Sequence, residues 1–233
     1  MVNTRETEEN PFENSEVSKE WINSVENEKG LIRDNEIYPY LKKWVFDLHP
    51  KILVEVGAGQ GICSEKIKTD AFTTYFGIEP SVFLVERAQF LYDKPNRKFI
   101  VGNAYHIPFE NEKADGVFSV NVWFHLADIN LASYELSRIL KLKGKFLIIT
   151  ANPEAYEVWE SFYYDHKKEG KRISGKVKVP INPLSSSIFY EHTPYEIKQS
   201  LESNSMQILK IDKLGIIDKV QQKLFLAIAG ERI

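Results

Sequence analysis

Leu53-Val54-Glu55-Val56-Gly57-Ala58-Gly59-Gln60-Gly61 is a short apolar run that breaks into glycines at alternate positions. An apolar run of this length, bounded by glycine, reads as a buried strand. Glycine has no Cβ and tolerates positive φ, so it stands where backbone must turn sharply or approach a ligand closely. A strand feeding a glycine loop and then a helix is the general geometry of a nucleotide site. The spacing Gly57-x-Gly59-x-Gly61 departs from the dinucleotide fingerprint, whose third glycine falls where Ile62 stands. The helix-end N–H groups here need not hold a pyrophosphate.

Outward from this loop the chain alternates strand and helix. Strands are expected at 51–56, 73–79, 97–102, 115–120 and 145–150, with helices beginning near Gly61 and Ser81. A longer helix over 128–141 is expected to stop at Lys141-Leu142-Lys143-Gly144-Lys145, basic residues followed by glycine. Such βαβ units give a parallel sheet with helices on both faces. Beyond Thr150 the reading is a helix over 153–168, a basic, turn-rich stretch, and a helix over 194–203. Strands at 206–213 and 223–230, separated by LGIIDKVQQ, fit an antiparallel finish. Ahead of the sheet, 17–48 reads as helical with Gly30 between two helices, and 1–12 as a loosely held tail.

Composition narrows the function classes. The 233 residues are 43% hydrophobic and 27% charged, enough for one generous domain with a real core. A net charge of −3 gives no global field towards nucleic acid or membrane. The first 28 residues carry eight Glu against only Arg5 and Lys19. A single cysteine, Cys63, excludes an internal disulfide framework and fits a reducing compartment. Five histidines show no metal-ligand spacing with it, so no metal is expected. No apolar run approaches the roughly 18 residues of a membrane span, and the chain reads as cytoplasmic.

The second expected strand ends in Gly77-Ile78-Glu79-Pro80-Ser81, placing Glu79 18 residues past Gly61 at the tip of the next strand. A carboxylate there can accept both hydroxyls of a ribose. The alternative is an acid that caps the helix starting at Ser81.

Five stretches in order, LVEVGAGQG, GIEPS, GNAYHIPF, ADGVFSVNVWFHLAD and ELSRILKLKGKFLII, resemble class I S-adenosylmethionine-dependent methyltransferases. The likeness is to the small-molecule branch that includes quinone-biosynthesis methyltransferases, and it runs from about Val17 to the C-terminus. It implies a doubly wound, Rossmann-like, seven-stranded and mostly parallel sheet whose last strand is antiparallel. It divides the chain into a tail and helical lid (1–48) and a cofactor-binding domain (49–233), with 151–205 covering the acceptor. The implied cofactor is S-adenosyl-L-methionine, leaving as S-adenosyl-L-homocysteine. Carried over by position, Glu55 and the backbone of Gly57, Ala58, Gly59 and Gly61 lie beneath the methionine part. Glu79 holds the ribose hydroxyls and Pro80 lies on the adenine face. Asn103, with Ala104, stands where the family usually has an aspartate contacting the adenine amino group; its side-chain oxygen can still accept. Val120 and Asn121 approach the sulfonium and methyl. Arg33 is placed over the cofactor's carboxylate, or else pairs with Asp34 or Glu36 on the surface.

Methyl transfer from a sulfonium needs alignment more than side-chain chemistry. His125, just after the fourth strand where the family often has a cavity-facing histidine, is the candidate base, with an ordinary pKa near ~6.5. Its bland alternative is a ring packed in the loop before Leu126. His106 and His192 read as structural, and Trp123 and Phe124 either line the acceptor site or belong to the core. The expected acceptor is a small molecule. Nucleic acid rests only on the basic stretch Lys167, Lys168, Lys171, Arg172, Lys176 and Lys178, which suits an RNA methyltransferase if it meets phosphate. Two further alternatives are a cofactor-binding regulator without catalysis, and a short-chain dehydrogenase using Tyr163 and Lys167 on one helical face.

Overall fold

Ile52–Val56 forms β1, and its alternation assigns it to two cores: Leu53 packs on one side and Val54 on the other, both without solvent exposure. A strand buried on both faces is what a helix-covered parallel sheet requires. In the computed structural model, which describes residues 10–27, 32–67, 69, 71–178, 184–216 and 222–233, β1 is the third strand of a seven-stranded sheet. Its other strands are β2 (Thr74–Glu79), β3 (Arg97–Val101), β4 (Ala114–Val120) and β5 (Leu140–Ala151). After a second sheet of β6 (Tyr163–Glu169), β7 (Arg172–Val177) and β8 (Leu184–Tyr190) come β9 (Met206–Leu214) and β10 (Phe225–Arg232). The order is β3-β2-β1-β4-β5-β10-β9, with the first five strands parallel and β10 antiparallel to both neighbours. This is the expected doubly wound architecture with an antiparallel last strand.

The helices sort by face. On one side α1 (Ser15–Asn27), α2 (Tyr38–Leu48), α3 (Ile62–Lys66) and α4 (Val82–Tyr92) lie near the strands, and Val17, Leu41, Val45, Val85 and Ala88 pack with Leu53, Tyr75, Phe118 and Leu147. On the other, α5 (Ile129–Ile139) and α7 (Pro194–Glu202) bring Leu136, Ile197 and Leu201 onto Val54, Ile78, Val117 and Ile148. Thr193 and Glu196 close a reciprocal capping box that starts α7. A π-helical turn, Arg33–Ile37, leads into α2. Tyr40 donates to Asp212 at 2.6 Å and ties α2 to β9.

Two expectations are corrected. The helix expected over 128–141 ends at Ile139, and Gly144 is not its stop: β5 begins at Leu140, which pairs with Ala114 and is fully buried. Strand pairing takes the backbone that a further helical turn would have used. The helix expected over 153–168 is a short α6 (Tyr156–Ser161), after which 163–169 is β6, paired with β7 in what had read as a turn-rich stretch. Tyr163 and Lys167 therefore share no helical face. Tyr163 bonds Ser187, and exposed Lys167 pairs with Glu169, so the dehydrogenase couple is not assembled. Gly30, residues 1–9 of the tail and most of the LGIIDKVQQ linker lie outside the described residues. Among the described residues no helix is long and apolar enough to cross a membrane, and no cluster of His, Cys, Asp and Glu is placed to hold a metal.

Candidate functional site

The carboxyl ends of β1, β2 and β4 open onto a cavity of about 970 Å3. Ligands in open α/β sheets bind at this edge. The volume is at the upper end of the roughly 300–1,000 Å3 usual for small-molecule sites, room for a cofactor and a second compound.

The glycine loop forms its floor. Gly57, Gly59 and Gly61 adopt φ of +81°, +53° and +85°. The N–H groups of Gly57 and Ala58 both donate to Ile78 O, at 2.8 and 3.0 Å, which pins the loop to the end of β2. A Cβ on Gly57 would stand 2.1 Å from Val122 Cγ2, and one on Gly61 2.8 Å from the Phe99 ring; at Gly59 the nearest atom is Trp21 Nε1 at 3.6 Å. Gly57 and Gly61 thus answer to packing as well as to φ, whereas Gly59 leaves the backbone bare towards α1.

Glu79 ends β2 with 6% of its surface exposed. One carboxylate oxygen accepts from Gly59 N at 2.9 Å and the other from Ser81 N at 3.0 Å. The acid thus braces the turn into α4 as the capping reading expects, and it also lines the cavity, each oxygen keeping a lone pair for a ligand. Burial pushes its pKa up to about 7 against those two hydrogen bonds. Glu55 on β1 is more deeply buried; burial raises it to about 8, against hydrogen bonds from the Tyr75 hydroxyl and the Cys63 thiol.

These shifts fix a pH dependence. Both folded-state values lie above the ordinary carboxylate pKa, so the native state binds these protons more tightly than the unfolded chain. Their stabilising contribution is complete below about 4.5 and is lost as pH climbs through about 7 for Glu79 and about 8 for Glu55. Thermal scans of the ligand-free protein should show Tm falling between about pH 4.5 and 8. Glu79→Gln should flatten the early part of that fall, and an unchanged slope would contradict the assignment.

Three residues lining the cavity carry buried polar atoms with no partner: Arg33 Nε, Gln60 Oε1 and Asn121 Oδ1. Unsatisfied buried groups are rare in native proteins and call for an explanation. One donor and two acceptors match an α-amino acid, whose carboxylate accepts and whose ammonium donates. Arg33 sits in the π-helical turn, gives Nη2 to Val25 O at 3.1 Å and pairs with Asp34 at 3.9 Å, while its Nε has no partner. Asn121 holds φ at +60°, a strained region that asparagine tolerates better than most residues, with its N–H on Ile149 O at 2.8 Å. Gln60 is in the glycine loop, yet it was missed because its neighbours drew the reading to backbone alone.

Pro80, Ala104 and Val120 line the same cavity. Asn103 lines it too, but its side-chain oxygen already accepts from Tyr105 N and His106 N, both at 2.9 Å, so it shapes the β3 exit as an Asx turn. His125 lies in the 3-10 turn Trp123–His125 against Phe124 and Phe12. Its Nδ1 meets Ile188 O, and a carbonyl can only accept, so Nδ1 carries the hydrogen and Nε2 the lone pair. Burial holds the ring down at about 4, and it is neutral at pH 7. His192 is wholly structural, giving Nε2 to Leu126 O at 2.7 Å. Trp123 is core, and Phe124 lines the cavity.

Beyond the donor end the wall turns aromatic: Phe124, Trp159 and Tyr163, with Phe189 behind them at ring separations of 5.4, 6.0 and 6.2 Å. Phe12 and Trp21 close it from the N-terminal side.

Residues 54–148 match the methyltransferase-domain family. A curated relative, tRNA U34 carboxymethyltransferase of Aliarcobacter butzleri, is 26% identical over 137 residues, 58% of this chain and 41% of that one. The matches span less than half the length of the curated relatives. Among solved structures, a putative S-adenosylmethionine-dependent methyltransferase from Listeria monocytogenes shares the fold at TM-score 0.66 and 17% identity, covering 84% of this chain and 97% of that one. Geranyl diphosphate C-methyltransferase from Streptomyces coelicolor, solved with S-adenosyl-L-homocysteine, does so at TM-score 0.59 and 14% identity, covering 84% and 76%. Residues 54–148 thus carry the methyltransferase-domain match within a seven-stranded sheet whose fold is that of S-adenosylmethionine-dependent methyltransferases.

Proposed function

We propose that the protein transfers the methyl group of S-adenosylmethionine to a small, mainly apolar acceptor held within the aromatic half of the cavity. The observation that carries this reading is the continuity of one cavity from the glycine loop to Phe124, Trp159 and Tyr163. The named comparisons point both ways, one towards geranyl diphosphate and one towards tRNA. The basic stretch weighs against nucleic acid. Lys167 and Arg172 pair with Glu169, Lys168 with Glu160 and Glu191, Lys171 with Glu196, and Lys176 with Asp165. Of the stretch only exposed Lys178 has no ion pair among the described residues, and acids interleaved with the other five cations leave no row of free positive charge for a phosphate backbone.

The bound cofactor supplies a methyl activated by its sulfonium charge. Glu79 accepts the ribose hydroxyls, while Arg33 takes the carboxylate, and Gln60 and Asn121 accept from the ammonium. Aromatic walls exclude water and keep acceptor and donor in line, where most of the rate is gained. His125 Nε2 accepts the acceptor's proton as the new bond forms. A ring with a pKa near 4 is a weak base, suited to a proton that is already acidic or that leaves only in the transition state.

The test uses methyl-labelled cofactor with a solvent-extractable metabolite fraction and, separately, with total RNA. Label should enter the extractable fraction, and His125→Gln should lower turnover by about 10²-fold, the low end for a general base, with cofactor affinity unchanged. Label in RNA alone would overturn the small-molecule reading. Binding without turnover in either fraction would favour a regulator.

A further inference from the structure

Tyr163 and Ser187 meet in the acceptor half, hydroxyl to hydroxyl at 3.0 Å, both buried. Two hydroxyls bring two hydrogens, and their mutual bond uses one. The second has no acceptor among the described residues. Both residues line the cavity, so this second hydrogen is open to an oxygen of a compound bound there. Ser187 immediately precedes Ile188, whose carbonyl fixes His125, so one stretch of β8 sets both a spare donor and the Nε2 acceptor.

Charge limits what can sit there. Among the described residues, Arg33 is the one permanently cationic side chain lining the cavity, against Glu13, Glu36, Glu55 and Glu79. In the reading above, the cofactor's carboxylate takes Arg33. No cationic side chain among the described residues then remains for a phosphate or carboxylate on the acceptor, and an anion without such a partner is penalised when buried.

We propose that the acceptor is an uncharged, mainly apolar compound carrying a hydroxyl or carbonyl oxygen, that this oxygen accepts from the Tyr163–Ser187 pair, and that phosphorylated acceptors are rejected. Tyr163 and Ser187 are then specificity-determining residues. The inference rests on the small-molecule reading and deepens it.

The test is calorimetric titration of the full chain, saturated with S-adenosyl-L-homocysteine, with three probes of one shape: 2-naphthol, naphthalene and 2-naphthyl phosphate. Naphthol should bind about tenfold more tightly than naphthalene, the factor one neutral hydrogen bond supplies. The preference should vanish in the double variant Tyr163→Phe/Ser187→Ala, which leaves the aromatic wall in place, because either hydroxyl alone still has a hydrogen to donate, and the phosphate should not bind. If the phosphate binds as well as naphthol, or if the preference survives both substitutions, the inference falls while the small-molecule reading stands. If the protein holds S-adenosyl-L-homocysteine but none of the three probes, both fall.

Discussion

Glu79→Ala should weaken S-adenosylmethionine binding by about two orders of magnitude, the largest single loss expected from any one side chain at the donor end. Hydrogen bonds to a charged group contribute about 1.5–3 kcal/mol each, and about 1.4 kcal/mol is tenfold in Kd. The carboxylate has two oxygens, each already oriented by one backbone N–H, so two ribose hydroxyls meet an acceptor that needs no rearrangement. Glu79→Gln should fall nearly as far. Its amide keeps one accepting oxygen and turns an NH2 towards either the Gly59 or the Ser81 N–H. Isothermal titration of wild type and both variants checks this, and a Kd within threefold of wild type for the alanine variant would remove Glu79 from the cofactor site. The expected affinity also rises with pH through about 7, because protonation of Glu79 takes away one accepting position.

Gly57→Ala should be the most destabilising substitution in the loop. Two penalties coincide there: about 1–2 kcal/mol for an L-residue at left-handed φ, and about 1–3 kcal/mol for forcing a methyl into packed neighbours. The added Cβ would lie 2.1 Å from Val122 Cγ2, so backbone or β4 exit must move. For a chain of this size about 1 kcal/mol shifts Tm by roughly 2–4 °C, which sets the expected drop near 10 °C. Gly59→Ala is the internal comparison. Its φ is also positive at +53°, but its nearest neighbour is 3.6 Å away, so only the conformational penalty of about 1 kcal/mol applies. Equal Tm values for the two variants would show that packing against Val122 does not constrain the loop.

The donor half of the site was legible because its determinants are local. Glycine at alternate positions after an apolar strand declares a backbone conformation, and an acid at the next strand tip declares a hydrogen-bonding direction. Arg33 was left between a cofactor role and a pair with Asp34 or Glu36; the structure pairs it with Asp34 and also places it on the cavity wall, which no local pattern states. Asn103 carries a different lesson. Its residue type permits an adenine contact, but two neighbouring N–H groups claim its side-chain oxygen first.

The acceptor half was not legible. Tyr163 and Ser187 are 24 residues apart and come together through β7, a strand within a stretch that reads as a basic, turn-rich loop. Helical reading of 153–168 failed because α6 stops at Ser161 and the rest pairs across strands, an interaction with no local signature.

By itself the sequence determined the strand–helix alternation, the glycine loop, the acid at the end of β2 and the antiparallel finish. Each of these is encoded by residues within a few positions of one another, through φ preference, periodicity or capping. Only the tertiary structure decided the second sheet, the neutralised basic stretch, the tautomer of His125 and the spare hydroxyl hydrogen. These depend on which distant groups share a buried space, and burial alone makes an unpaired hydrogen or charge costly enough to specify a ligand.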